Sequence, residues 1–375
     1  MKNALILNNT HSEAEFINIL KRNYKAVFTL GKKKPYNKDL QIKHIKCDYK
    51  NHKRIRIIKR QYNISDIFPG ANDLTLFSLA NLRSKFIDNL SIIKLLHNKK
   101  LFRNFNKDIK IYTINSLKQK INTNKINYPL LAKPELGHGG KGIIKIENQK
   151  DLQFFLKEKK NQYIVEEFIE GTNHGIFTLI KNHNIIFTFF DTEQRFINPY
   201  TVSSTISHCY LNNIIKDRIK KKLLEIIKKL KLKDGIFHVQ IIFNKKKKKF
   251  HIIEITRRLP GDNYLKFIKY STGLSMEEYI LKLFLKKKFK IKPKKNNFIL
   301  RKILMSSANG YFDSLKISKK IINNIIENQI FFNKKKKIKN YLQDRVGVIF
   351  FKFKTKKQLL IITKNIDKYV SVITK

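Results

Sequence analysis

The sequence predicts an α/β protein of two or three domains. Strand-length apolar runs alternate with a helix-period segment near the N-terminus, two period-2 strands frame a lysine-rich turn further along, and 375 residues that are 42% hydrophobic and 11% aromatic suffice for several packed cores. Residues 4–7 and 25–30 have strand character, and residues 12–22 between them place Phe16, Ile19 and Leu20 on one side of a helix. A strand–helix–strand unit implies a parallel sheet. The stretch Phe68-Pro69-Gly70-Ala71-Asn72-Asp73 reads as a turn, with a helix from about residue 74 to 82 after it and Asp73 as its cap.

Residues 91–105 read as one helical stretch. Strands are expected at 128–133, 143–147 and 163–168, a helix near 151–157, and a hairpin from 175–181 and 185–190. The clearest helix is 213–232, where Ile215, Ile219, Leu223, Ile226 and Leu230 make one apolar stripe. In 236–243, Phe237, Val239, Ile241 and Phe243 point one way while His238 and Gln240 point the other. In 250–256, Glu254 and Thr256 share a face. A further strong strand is 346–353, and the Lys-rich stretch 286–295 is the expected boundary of a C-terminal region.

Lys and Arg number 80 against 28 Asp and Glu, a formal net charge of +52. Such a charge suits nucleic acid or an anionic surface as partner. However, the residues favoured by A/T-rich codons (Lys, Ile, Asn, Phe) crowd the whole chain, Trp is absent, and there are only 13 Gly and 7 Pro. Lysine then becomes the default surface residue, and no specific nucleic-acid partner is expected. The five lysines 245–249 carry no interleaved aromatic that could stack on bases, and they read as a solvated hairpin turn. Cys47 and Cys209 are far apart and in no Cys-x-x-Cys pattern, so neither a disulfide framework nor a zinc site is expected and a reducing, cytoplasmic location fits. The first apolar run is too short for a signal peptide, and no uncharged run approaches the ~20 residues that span a bilayer.

Three segments carry chemistry. In Leu131-Ala132-Lys133-Pro134 a lysine leaves an apolar strand, and Gly137-His138-Gly139-Gly140-Lys141-Gly142 follows. Glycines let the backbone turn its N–H groups towards an anion, and the lysine adds a point charge. No Gly-Lys-Ser/Thr opens a helix here, and the glycines lead into a strand rather than a helix. Second, Ile164-Val165-Glu166-Glu167-Phe168-Ile169-Glu170-Gly171 ends a strand in paired acids and an apolar pair, whose backbone could meet an adenine edge. Third, alternation lets Gln240, Glu254 and Thr256 face one shared site across a hairpin, with Arg257 and Arg258 just beyond. Magnesium takes one or two carboxylates plus phosphates and water, and an arginine can stabilise a transferring phosphoryl group. Separately, these pieces also fit a glycine-rich turn, a strand with exposed acids, and the polar face of a strand pair.

In this order and spacing the three segments resemble the ATP-grasp superfamily over roughly residues 85–285. The resemblance implies an ATP-dependent, magnesium-dependent ligase that activates a small-molecule carboxylate as an acyl phosphate for attack by an amine. It implies an α/β architecture: a Rossmann-like domain (1–90), a mixed-sheet ATP-grasp domain (91–295) with a small lid (about 106–170), and a small C-terminal α/β region (296–375). A homodimer is common in such families. By the same resemblance Lys99 and Lys133 contact the nucleotide, and Gly137, His138, Gly139, Gly140, Lys141 and Gly142 form the flap over the phosphates. Glu166, Glu167, Phe168 and Ile169 form the adenine hinge. Asn173 stands at the ribose position, Glu254 is the principal magnesium carboxylate, and Arg258, with Arg257 beside it, supplies the signature arginine. The sequence departs from the pattern at Gln240, where an acid is usual, at Thr256, where asparagine is usual, and at Asn173, where glutamate is common. All three offer neutral oxygens, so binding is retained with one less negative charge at Gln240. A catalytically weak ATP-binding homologue and a basic nucleic-acid-binding protein are the alternatives. The loop at 68–73, the Arg257-to-Asp262 segment and His208 are expected near the acceptor substrate.

Overall fold

The computed structural model describes residues 2–33, 35–36, 42–121, 126–137, 139–158, 162–293 and 295–375. The chain opens with β1 (Asn3–Leu7), α1 (Ala14–Lys21), β2 (Ala26–Gly31), β3 (Lys43–Lys46), α2 (His52–Gln61), β4 (Ile64–Pro69) and α3 (Asp73–Asn81). The four strands form an all-parallel sheet in the order β3-β2-β1-β4. Phe16, Ile19 and Leu20 of α1 are buried against it. Asn72, not Asp73, caps α3: its side chain accepts from Leu74 N at 2.9 Å. Asp73 is the first helical residue, and its carboxylate turns instead to the Arg258 guanidinium. The expected turn at 68–73 is shorter than predicted, because Phe68 and Pro69 complete β4.

The single helix expected over 91–105 is two helices, α4 (Leu90–His97) and α5 (Lys99–Asn106). Asn98 is extended and caps the second, accepting from Leu101 N at 2.9 Å. An asparagine inside an apolar period breaks the helix because its side chain competes for the backbone.

The lid follows as β5 (Ile111–Tyr112), α6 (Ile114–Lys120), β6 (Leu130–Pro134), β7 (Ile144–Ile146), α7 (Gln149–Glu158) and β8 (Tyr163–Glu167). Its antiparallel sheet runs β5-β8-β6-β7 and has its own core of Leu117, Leu130, Ala132, Ile146, Leu152, Phe155 and Val165.

The larger sheet draws on β9 (Thr172–Lys181), β10 (Asn184–Phe190), β11 (Thr192–Gln194), β12 (Ser204–Ile206), β13 (Gly235–Asn244) and β14 (Lys249–Thr256), with helix α8 (Asn213–Lys229) between β12 and β13. Helices α9 (Tyr264–Thr272) and α10 (Met276–Phe284) lead to β15 (Phe298–Leu304) and β16 (Gly310–Ile317). The chain ends with α11 (Lys319–Ile322), β17 (Ile325–Ile330), β18 (Lys337–Ile338), β19 (Gly347–Phe353), α12 (Lys356–Lys364), α13 (Ile366–Tyr369) and β20 (Val370–Thr374). Nine of these strands form one sheet, in the order β14-β13-β9-β11-β12-β15-β19-β17 with β10 also paired to β9. The stretch 286–295 lies between α10 and β15, and three strands beyond it continue the same sheet.

The α8 stripe is buried against Phe237, Val239 and Ile241 of β13, which leaves His238 and Gln240 on the opposite face. That packing decides which face of the hairpin is free to make a site. Leu223 is fully buried there, so Leu223→Ala should lower the unfolding free energy by roughly 2–5 kcal/mol, read from urea denaturation followed by circular dichroism.

Candidate functional site

A cleft of about 690 Å³ lies between the lid and the larger sheet. Its size suits a small-molecule site. It is lined by Lys99, Lys133, Gly137, Gly139, Gly140, Lys141, Glu166, Glu167, Phe168, Ile169, Asn173, Gln240, Glu254, Thr256 and Arg258. Three segments far apart in sequence thus converge on one space. His138 lies outside the described residues, and Gly142 is not part of the lining.

The β13–β14 register builds the floor. His238 pairs with Thr256 and Gln240 with Glu254, so all four share the cleft face. Glu254 is half-buried and, among the described residues, makes no hydrogen bond or ion pair. Thr256 is 8% exposed and its Oγ1 has no partner; Asn173 Oδ1 and His238 Nε2 are likewise buried without one. Gln240 donates from Nε2 to Glu193 Oε1 (2.7 Å) and Oε2 (3.0 Å). Burial, with Arg258 and Arg301 nearby, pushes the His238 imidazole down to about 3, so it is neutral at physiological pH.

The lid wall is a buried knot. Glu166 takes the Lys133 ammonium on one oxygen and Arg103 Nε on the other at 2.8 Å. Arg103 also donates to the carbonyls of Ile252 and Ile253, both at 3.1 Å. Burial raises Glu166, but Lys133 and Arg103 outweigh it and hold its carboxyl below the usual range; burial draws Lys133 down. The Glu166 carboxylate therefore serves Lys133 and Arg103 rather than a ligand. The glycine segment is tied at both ends: Lys99 Nζ donates to Gly137 O (2.8 Å), and Thr201 Oγ1 donates to Gly139 O (2.9 Å). Gly140 (φ +72°) packs so closely on Tyr200 and Thr201 that a Cβ would lie 2.8 Å from Tyr200.

Arg258 lines the cleft and pairs with Asp73, whereas Arg257 does not reach the cleft. Arg257 is 6% exposed and spends its guanidinium on Asp88 (2.7 Å) and the carbonyls of Ile236 and Lys233. Both arginines follow the end of β14, and their partners send one to the site and the other to the interior. His208 does not line the cleft; it lies edge-on to Tyr210. Of the 68–73 loop only Ala71 reaches the lining.

The far end of the cleft holds residues that sequence reasoning missed: Glu193, Arg195, Tyr264, Arg301 and Arg345. Arg345 pairs with Asp262, and Arg301 donates to Asp262 O at 3.2 Å and to Thr205 Oγ1 at 2.8 Å. No periodic signal marks Glu193, Arg195 or Arg345, since the first two stand in or just after a three-residue strand and Arg345 lies outside any helix or strand. A cation-rich wall of this kind suits a carboxylate or phosphate.

Residues 96–262 match the ATP-grasp domain family. Fold and match together identify that segment as an ATP-grasp domain. Carbamoyl-phosphate synthase of Methanobrevibacter smithii is 26% identical over 145 residues, 38% of this chain and 39% of that one. The carbamoyl phosphate synthase large chain of Clostridium botulinum (strain Alaska E43) is 25% identical over 140 residues, 36% of this chain and 13% of that one. The match thus spans well under half the length of these relatives. Among solved structures, L-amino acid ligase from Bacillus licheniformis superposes with a TM-score of 0.82 at 16% identity, covering 100% of this chain and 99% of that one. Phosphoribosylglycinamide synthetase from Anaerococcus prevotii gives 0.75 at 17% identity over 100% of both. The whole chain therefore shares the fold of these solved structures.

Beside Gly175 of β9, Asp191 is fully buried, accepts from Gly175 N at 2.8 Å and takes the Tyr264 hydroxyl. Burial, with Glu193 adding to it, pushes its carboxyl up to about 8. The folded chain then keeps a proton that the unfolded chain gives up near the ordinary carboxylate pKa of about 4. Stability accordingly falls as pH rises from about 4 towards about 8. Asp191→Asn should flatten that slope in urea midpoints measured across this window; an undiminished slope would assign it to other groups.

Proposed function

We propose that the chain is an ATP- and magnesium-dependent ligase joining a small carboxylate to an amine. The observation that carries this reading is the convergence of Lys99, Lys133, the glycine segment and Glu254 on one cleft of an ATP-grasp fold. ATP or ADP occupies related folds, such as carboxyaminoimidazole ribonucleotide synthase from "asperigillus clavatus" (98% of this chain, TM-score 0.74) and its Staphylococcus aureus counterpart. No helix among the described residues is long and apolar enough to cross a membrane.

In this reading the adenine lies along residues 166–169, against Phe168, Ile169 and Ile242, and the ribose near Asn173. Lys99 and Lys133 hold phosphate oxygens, and the backbone of Gly137, Gly139 and Gly140 covers them. The residues fit a divalent cation: Glu254 is a carboxylate with no close ion pair among the described residues, though Lys99 and Arg258 act on it from farther off, and Thr256 Oγ1 and Asn173 Oδ1 are unpartnered oxygens in the same cleft. A bound magnesium would offset charge on the phosphate oxygens. Arg258, Arg301 and Arg345 hold the substrate carboxylate end. A carboxylate oxygen attacks the γ-phosphorus, ADP leaves and an acyl phosphate forms. The amine nitrogen then attacks the carbonyl carbon, phosphate leaves, and the nitrogen loses a proton. Positioning and charge stabilisation are the protein's main contributions, and the closed glycine segment keeps water from the acyl phosphate.

The leading substrates are amino acids or small peptides, matching a far wall that carries both Arg and acidic side chains. Lys133→Ala and Glu254→Ala should each lower ADP release by at least about 100-fold while the chain stays folded. A screen of amino acids and small carboxylates, with products identified by mass spectrometry, tests the reaction. Undiminished ADP release in either variant would refute the assignment, and ADP binding without release for any substrate would favour a catalytically weak homologue.

A further inference from the structure

Gln240 takes a position at which a carboxylate would add charge, yet its amide is not free to turn. An amide has a donor end and an acceptor end that look alike in shape, and only its neighbours decide which faces a ligand. Here Nε2 is committed to Glu193, which accepts from it on both carboxylate oxygens. Glu193 is 5% exposed, and its Oε2, which accepts from Gln240, also lies 3.7 Å from Arg195. With both Glu193 oxygens accepting, it is the NH₂ end of the Gln240 amide that faces them. Among the described residues nothing donates to Gln240 Oε1, and that oxygen is the end left for the cleft.

Sheet order gives this arrangement its direction. The strands run β14-β13-β9-β11, so Gln240 on β13 has Glu254 as its cross-strand partner on one flank and reaches over β9 to Glu193 on the other. The β9 residue opposite Gln240 is Gly175, so no β9 side chain rises between them. A side chain there is excluded in any case, since a Cβ would come within 2.7 Å of Asp191 Oδ2. The amide nitrogen is thus drawn towards β11, and its oxygen is the end that β11 does not engage. Two acceptors, Gln240 Oε1 and the Glu254 carboxylate, then share that face with the unpartnered, nine-tenths buried Thr256 Oγ1; among the described residues none of the three makes a hydrogen bond or a close ion pair, while the charges of Lys99 and Arg258 act on Glu254 from farther off. An all-oxygen set of this kind suits a hard divalent cation.

We propose that Glu193 is a positioning residue: it fixes the Gln240 amide with its oxygen towards Glu254, and so makes Gln240 an oxygen ligand of the divalent cation. The proposal rests on the nucleotide-binding reading of the cleft. It explains how a site with one fewer carboxylate on β13 keeps a directed ligand there, through a charge supplied from the neighbouring strand β11.

The test uses the full-length protein, ADP and Mn²⁺. Free Mn²⁺ is followed by electron paramagnetic resonance, and ADP binding without metal by calorimetry. Glu193→Gln offers Gln240 an acceptor and a donor together, so the amide is released to present either end. Mn²⁺ affinity of the ADP complex should fall about ten-fold, the scale of lost outer-sphere support, while metal-free ADP affinity stays at the native value. The exchanged pair Glu193→Gln with Gln240→Glu places the carboxylate on β13 and the amide on β11, and should return Mn²⁺ affinity to the native level or tighter. A packing role would not be rescued by that exchange. Native Mn²⁺ affinity in Glu193→Gln, or an exchanged pair as weak as the single variant, overturns the proposal and leaves the nucleotide reading intact. A native protein that binds no ADP overturns both.

Discussion

One buried carboxylate sets the geometry of this molecule. Glu166, at the end of β8, holds Lys133 of β6 and Arg103 of α5, and Arg103 reaches on to two carbonyls of β14 immediately before Glu254. Lid, helix and floor are therefore joined at a single charged point. Removing Glu166 would leave two buried cations without their counter-charge, which costs far more than such a pair contributes when intact, whereas loss of Lys133 or Arg103 leaves Glu166 paired with the other. The distance between Lys133 and β14 is fixed by this knot.

Much of this was legible in the sequence. The α8 stripe and the alternation in β13 follow from apolar spacing alone, and once α8 covers Phe237, Val239 and Ile241 the opposite face must carry His238 and Gln240. Lys133, the glycines and Glu254 were legible for a related reason: strand ends and glycine clusters are chemically conspicuous. What was hidden depended on long-range placement. Glu193, Arg301 and Arg345 sit on short or C-terminal elements whose position beside the cleft follows only from sheet order. Arg257 misled because two adjacent arginines read alike in sequence, while in the fold one is consumed by Asp88. Asp73 misled for a similar reason, since its carboxylate was claimed by Arg258 and the capping fell to Asn72.

Charge is distributed unevenly in function even though lysine is everywhere. A net +52 spread over the surface has no single direction, whereas the few acids that turn inward are each engaged or aimed. Glu166, Asp73, Asp88 and Asp262 each neutralise a particular arginine or lysine. Glu254 faces the cleft with no close ion pair among the described residues.

The continuity of the larger sheet through β15, β19 and β17 bears on how the protein could be dissected. Arg301 and Arg345 lie beyond the lysine-rich stretch, yet they line the cleft, and β15 hydrogen-bonds directly to β12. Trimming the polypeptide at that stretch would strip away one side of the cleft and bare the backbone of β12 as a raw, sticky margin. The C-terminal third is thus a buttress built into the chamber, and a fragment ending at the family boundary near residue 262 would be a poor surrogate for the intact molecule.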